Sequence, residues 1–382
     1  MYIAVITETY PPEVNGVAMT LSRLVCGLGN RRHKIVLVRP RQFGEAAGGA
    51  RIHNADTGLD QWLVRGWPIP FYNSLRIGAP ASGLLRERWK KERPHVVHVA
   101  TEGPLGFTAL TTARELGIPV SSSFHTNFHQ YGGHYGLSIG RDLALGYLKW
   151  FHNRAACTLV PTDQMRESLA AQGFERLAVL SRGVDARLFA PAKRLEALRQ
   201  KWGALPEDPV VLYVGRIAAE KNLDLAVKAF QAMRGVNPRV RFVLVGDGPL
   251  RALLAEKHSD FIFAGTRRGE ELAAHYASSD VFLFPSITET FGNVVTEAMA
   301  SGLVVAGYDY AALRQHVRSG SNGFTAKFDD SVAFVQMAKN VIRDREDWLG
   351  IRAAARMTAQ MISWETIVAQ FEAKLGSIVK PV

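Results

Sequence analysis

The sequence predicts an α/β protein of two doubly wound units, each a parallel sheet covered by helices. Three observations carry that expectation. The chain has 382 residues, more than one hydrophobic core usually supports. Short β-branched, nearly all-apolar runs recur between longer segments of helical period, and runs without alternation are buried on both faces, as in a parallel sheet. Between 190 and 209 the pattern breaks: Phe189-Ala-Pro191 ends one unit, a charged helical stretch follows, and Leu205-Pro-Glu-Asp-Pro209 opens the next. The domains are therefore placed at 1–190 and 191–363, with a last segment from 364.

In the first half the expected strands are Tyr2–Ile6, Ile35–Val38, Val96–Val99, Val120–Phe124, Thr158–Val160 and Leu177–Leu180. In the second they are Val210–Val214, Phe242–Val245, Phe261–Phe263, Val281–Phe284 and Val304–Ala306. Gly44–Gly49 reads as a loop. Trp364, Ile367, Val368, Phe371 and Leu375 share one face of a final amphipathic helix.

A content of 47% hydrophobic and 21% charged residues excludes long disorder. Cys26 and Cys157 match no metal or redox spacing and fit a reduced, cytoplasmic setting. The opening Tyr2–Thr7 reads as a strand, not a leader, and no apolar run reaches the ~18 residues of a membrane span. The net charge of +11 is uneven, +8 in residues 1–190 and +3 in 191–382. A basic first half suits an anionic partner, and solubility alone explains it equally well.

Chemistry concentrates where strands end. Gly16, in Thr9-Tyr-Pro-Pro-Glu-Val-Asn-Gly-Val-Ala18, lies between the first strand and a helix, where backbone can approach a ligand closely. A plain strand-to-helix turn explains it as well. There is no G-x-G-x-x-G and no lysine-bearing phosphate loop. In Gly215-Arg216-Ile-Ala-Ala-Glu-Lys221-Asn222, a fork-shaped cation and a point charge flank a helix start, which suits a diphosphate. The fullest constellation is Pro285-Ser-Ile-Thr-Glu289-Thr-Phe-Gly-Asn-Val-Val-Thr-Glu297-Ala-Met-Ala-Ser-Gly302. There a loop carries Glu289 and Gly292, and the first amides of a helix (Asn293, Val294, Val295) face outward. Two carboxylates beside an anion-binding helix end make sense if the ligand carries hydroxyls on both sides of a diphosphate. That describes a nucleotide sugar.

Glu289 and Glu297, with seven residues between them in a T-E-T-F-G-N-x-x-x-E-A-M-A-x-G context, resemble the signature of retaining glycosyltransferase family 4. Asn15-Gly16-Val17, Ser123-Phe-His125-Thr126, Arg182-Gly-Val-Asp185…Phe189, Gly215-Arg216…Glu220-Lys221-Asn222 and Gly246-Asp-Gly-Pro249 follow in the family's order, over nearly the whole chain. The resemblance implies the GT-B fold: two Rossmann-like domains facing across a cleft, with the 364–382 helix crossing back to the first. It implies that Arg216 and Lys221, helped by amides near Gly16, neutralise a donor diphosphate. Glu297 would bind the ribose, and Glu289 with backbone of Phe291, Gly292, Asn293 and Val294 the donor sugar. The loop holding Arg267 would read the base, and His125 would reach the transferred sugar. His125, His129 and His134, spaced four and five apart without a carboxylate or cysteine partner, do not suit zinc.

The wording around Ser121–His125 and Thr288–Asn293 is most similar to bacterial mannosyltransferases that use GDP-mannose, with UDP-sugar glycolipid synthases (glucosyl, glucuronosyl or sulfoquinovosyl) as the alternative. The resemblance implies a retaining transfer with no cofactor and no required divalent metal, since no Asp-x-Asp motif is present to hold one. The acceptor hydroxyl would attack the face the diphosphate leaves. A nucleotide-sugar epimerase or a catalytically silent sensor is the reading from another class. The expected partners are a nucleotide-sugar donor and a lipid-linked acceptor, with no nucleic acid. Arg76 to Arg93, six cations against two acids around Leu84, Leu85 and Trp89, reads as a basic helix able to rest on an anionic inner leaflet. Core packing of Leu85 and Trp89 is the competing reading.

Overall fold

The apolar run at the start of the chain forms β1 (Tyr2–Ile6), which is fully buried. The computed structural model describes residues 1–13, 15–42, 45, 51–54, 59–69, 72–125 and 138–379. Thr126, His129 and His134 lie outside them, as does most of the Gly44–Gly49 stretch.

Two compact units are present, one of Met1–Arg182 with Trp364–Val382 and one of Gly183–Ser363. In the first, β1 is followed by α1 (Gly16–Asn30), β2 (Lys34–Pro40), β3 (Arg51–Asn54), β4 (Leu59–Val64), β5 (Gly66–Ile69), β6 (Tyr72–Gly78) and α2 (Ser82–Lys91). Then come β7 (Val96–Val99), α3 (Pro104–Glu115), β8 (Val120–Ser123), α4 (Ser138–His152), β9 (Cys157–Val160), α5 (Asp163–Ala171) and β10 (Leu177–Val179). The sheet order is β10-β9-β8-β7-β1-β2-β4-β3, with β5 and β6 as a separate hairpin. Its pairings are parallel except β3 with β4.

The second unit holds α6 (Glu196–Lys201), β11 (Val210–Val214), α7 (Leu223–Val236), β12 (Arg241–Val245), α8 (Arg251–Lys257), β13 (Ile262–Gly265) and α9 (Gly269–Ala277). It continues with β14 (Val281–Phe284), α10 (Asn293–Ala300), β15 (Val304–Tyr308), α11 (Ala311–His316), β16 (Phe324–Ala326), α12 (Ser331–Arg343) and α13 (Trp348–Met361). Its six strands run parallel in the order β13-β12-β11-β14-β15-β16. The chain winds outward from β11 to β13, then restarts at β14 on the other side of β11. Loops after β11 and β14 therefore diverge, and open α/β sheets bind ligands at such a switch point.

The final helix, Trp364–Ile378, buries Ile367, Val368, Phe371 and Leu375 against the first unit's core. A Cβ on Gly27 would stand 2.4 Å from a Val368 methyl, so that residue lets the final helix lie close on α1. Arg31 and His33 both reach Glu372 across the same contact.

The basic segment differs from its expectation. Arg76 belongs to β6, and the helix is only Ser82–Lys91. Leu85 and Trp89 are 0% and 1% exposed and pack in the core under β1, β2 and β7. Their burial leaves the helix its cations and no apolar anchor of that kind. Among the described residues no helix is long and apolar enough to cross a membrane.

Candidate active site

In the second unit, backbone packs on backbone behind the site. A Cβ on Gly246 would lie 1.9 Å from the Gly215 carbonyl oxygen, and one on Gly248 would lie 2.3 Å from that of Ile217. The Ile217 amide donates to Asp247 O (2.9 Å) and Leu250 N to Ile217 O (3.0 Å). The Gly246-Asp-Gly-Pro249 turn thus sets the position of the Arg216 loop, and only glycine leaves room for it.

That loop ends at Asn222, whose φ of 55° is left-handed, a conformation asparagine tolerates better than most residues. The Asn222 side chain donates to Pro285 O (3.3 Å), and Thr288 Oγ1 donates to Glu220 O (3.0 Å), which ties the β11 and β14 loops together. Lys221 Nζ then meets Glu289 Oε1 at 2.6 Å, and Ser286 Oγ donates to the same oxygen at 2.8 Å. Tyr310 OH donates to the Glu289 carbonyl (2.8 Å). Burial, then the Glu289 charge, pushes the Tyr310 phenol up to about 12. Arg216 is mostly exposed, with Nη1 3.2 Å from Glu220, while its carbonyl accepts from Tyr213 OH (2.9 Å).

Gly292 (φ 92°) turns the chain into α10, a backbone that a side chain would strain. The Phe291 ring is buried and its carbonyl accepts from Ala312 N. Asn293 and Val294 sit in the first turn, where amides lack intrahelical partners. The Val295 amide instead donates to Gly292 O (3.0 Å), so it is spent on the turn. One turn on, Glu297 accepts from Tyr276 OH of α9 at 2.9 Å. Burial raises the Glu297 carboxyl to about 7, partly offset by that hydrogen bond. Arg267, between β13 and α9, donates to Ala264 O (2.9 Å) and approaches Glu271.

The second unit thus gathers Lys221, Glu289, Gly292 and the start of α10 in one cluster, with Arg216 on the same β11 loop. Glu297 has its own partner, and Arg267 follows the edge strand. The Lys221–Glu289 pair differs from the expectation, which gives the two residues to different parts of a donor. Tyr213, Tyr276, Ser286 and Tyr310 are absent from the expected set; Tyr276 and Tyr310 bring their hydroxyls from distant elements, which no local spacing marks, while Tyr213 and Ser286 lie three residues from the Arg216 and Glu289 they bond.

In the first unit Gly16 opens α1, with Asn15 capping the helix by accepting from Ala18 N (2.9 Å). Among the described residues, a Cβ on Gly16 would meet nothing within 4 Å. His125, two residues past β8, takes a hydrogen bond at Nδ1 from Arg182 Nη2 (2.7 Å). Burial first, then the Arg182 charge, holds its imidazole well below the ordinary histidine range. Glu8, just past β1, accepts from the amides of Gly78 and of Leu105 (3.1 Å). Burial lifts its carboxyl to about 7. His152 bonds Ser122 (2.9 Å) and Glu102 (3.1 Å). Among the described residues no group of three or more His, Cys, Asp or Glu is placed to hold a metal ion.

Two doubly wound units, with cations and a helix start at the second sheet's switch point, define the class: a GT-B glycosyltransferase. Residues 208–344 match the family model for glycosyl transferases group 1, and 14–188 match that for glycosyltransferase family 4. A GDP-mannose-dependent alpha-mannosyltransferase of Mycolicibacterium smegmatis is 33% identical over 98% of both chains. The sulfoquinovosyl transferase SQD2 of Arabidopsis thaliana is 31% identical over 78% of this chain and 60% of its own. The crystal structure of Anabaena Alr3699/HepE in complex with UDP superposes with a TM-score of 0.76 at 18% identity, covering 99% of this chain and all of that one. The chain belongs to glycosyltransferase family 4.

Proposed function

We propose that this glycosyltransferase moves a hexose, mannose from GDP-mannose, to a hydroxyl of a lipid or glycolipid acceptor, with retention at the anomeric carbon and without a required divalent metal. The observation that carries the reading is the cluster of Lys221, Glu289 and the α10 start, joined to the Arg216 loop by Asn222 and Thr288. Arg216, Lys221 and the α10 amides are the electrostatic stabilisers of a leaving diphosphate. Glu289, once Lys221 turns to phosphate, accepts from hexose hydroxyls together with backbone of Phe291 to Val294. Glu297 accepts from ribose hydroxyls, Arg267 stands by the base, and the bare Gly16 leaves space for phosphate oxygens at α1. The acceptor oxygen bonds to the anomeric carbon as the bond to the diphosphate breaks on the same face, and the acceptor proton passes to the departing phosphate oxygen.

The near full-length likeness to GDP-mannose-dependent relatives supports mannose. The SQD2 likeness favours the second reading, a UDP-sugar glycolipid synthase. A cytoplasmic protein resting on the inner leaflet fits a lipid acceptor, with α2 contributing charge alone. A thermal-shift panel of nucleoside diphosphates and their sugars tests the donor, because a selective ligand raises Tm by mass action. GDP-mannose is expected to give the largest shift; a larger UDP-sugar shift selects the second reading. Sugar transfer to an acceptor separates either from an epimerase or a silent sensor.

A further inference from the structure

We infer that Arg182 is a positioning residue that fixes His125 as the neutral imidazole carrying its proton on Nε2, so that His125 presents a hydrogen-bond donor to a substrate oxygen. The inference rests on the reading of His125 as a residue that meets the transferred sugar.

A guanidinium has only donors, so the 2.7 Å contact from Arg182 Nη2 makes His125 Nδ1 an acceptor. A neutral imidazole that accepts at Nδ1 carries its proton at Nε2. Protonating Nδ1 would set N–H against N–H beside a positive charge, and burial opposes the imidazolium further. The other groups facing this ring are His98 of β7 and His152 of α4, whose charges would also oppose its protonation. His98 is itself buried and held at about 3, bonded to Ser121 (2.9 Å) and Ser123 (3.2 Å). Glu102 is engaged with His152.

Two features separate this pair from ordinary structural packing. His125 Nε2 is buried with no hydrogen-bond partner among the described residues. A buried polar atom without a partner is costly, and a ligand oxygen would recover that cost. Arg182 is 8% exposed, and among the described residues its one hydrogen bond is to the imidazole. Burial lowers its guanidinium to about 10. Arg199 shows how this chain buries an arginine for structure: it bonds Asp280 and the carbonyls of Ser278, Leu205, Pro206 and Asp208. Arg182 spends its charge on a ring instead. Both residues lie just past the carboxyl ends of their strands, His125 after β8 and Arg182 after β10, on the ligand-binding edge of the sheet.

The test combines imidazole nitrogen NMR with kinetics. In the unaltered protein His125 should show the Nε2–H tautomer from pH 5 to 9; an Nδ1–H or protonated ring would overturn the inference without any variant. Arg182→Met should raise the His125 pKa, shift the acid limb of the pH–rate profile towards neutrality, and lower kcat about 100-fold, the scale of a misplaced proton donor. KM for the donor and nucleoside diphosphate affinity should change less than threefold. Arg182→Gln, whose amide can still donate to Nδ1, should recover part of kcat. A methionine variant that folds, loses activity and keeps the tautomer and pH profile of the parent would reduce Arg182 to packing. Absence of sugar transfer by the parent protein would count against the proposed function, and the tautomer measurement would then decide the role of Arg182 by itself.

Discussion

The carboxyl ends of the two sheets hold similar side chains in opposite electrical states. In the second unit, Lys221 and Glu289 form an ion pair and Arg216 stands largely in solvent against Glu220. In the first, burial pushes His125, His98 and Glu8 toward their neutral forms, and Arg182 keeps a buried charge beside His125. On the proposed reading, the cations that would meet a diphosphate are held in ion pairs until an anion displaces the partner, and the buried neutral groups would offer uncharged hydroxyls donors and acceptors of defined sense.

The heaviest loss should come at the charged end. Lys221→Ala removes the cation proposed to meet the diphosphate and takes the ion-pair partner from Glu289; turnover should fall at least ~100-fold, and Arg216→Ala should do likewise. Calorimetry should then show nucleoside diphosphate binding weakened by Lys221→Ala and spared by Glu289→Ala, which impairs only the sugar nucleotide. The reverse order would reassign both residues.

The next effect concerns pH. Glu297 sits at about 7 when folded, above its ordinary value near 4.5. The proton it gains on folding stabilises fully below that ordinary value, and this contribution is lost as pH rises through about 7. Ligand binding runs the other way, since an ionised carboxylate is the better acceptor of ribose hydroxyls. Nucleoside diphosphate affinity should therefore rise several-fold from pH 6 to 8, and Glu297→Gln should flatten that rise. A variant that keeps the parent slope would place the titrating group elsewhere.

Two glycines set the ends apart in another way. Gly248→Ala drives a Cβ into the Ile217 carbonyl and should cost about 1–3 kcal/mol in denaturant unfolding, as overpacking does. Gly16→Ala meets no atom of the described residues within 4 Å, so its stability should stay within about 0.5 kcal/mol while donor affinity falls. Equal stability losses at both positions would remove the ligand argument from Gly16. The weakest response is at α2. Replacing Arg88, Lys90 and Lys91 with Ser should weaken salt-sensitive sedimentation with anionic vesicles a few-fold, because Leu85 and Trp89 are committed to the core.

Periodicity and local chemistry already determined a good deal. All eleven expected strands form, because a run such as Val210–Val214 is apolar on both faces and belongs only inside a covered parallel sheet. β3, β4, the β5–β6 hairpin and β16 carry no such signal, being short, alternating or interrupted as at Pro68. The Gly215–Asn222 and Glu289–Glu297 motifs are legible because a turn, a charge and a helix start must follow one another along the chain. Contacts between distant segments are not. Tertiary structure alone decided that Lys221 pairs with Glu289, that Tyr276 holds Glu297, and that Trp89 turns inward. It likewise brought Arg182 to His125 across 57 residues of chain. Sequence spacing records what neighbours along the chain can do, whereas burial and hydrogen bonding belong to neighbours in space, and only the folded sheet order makes those.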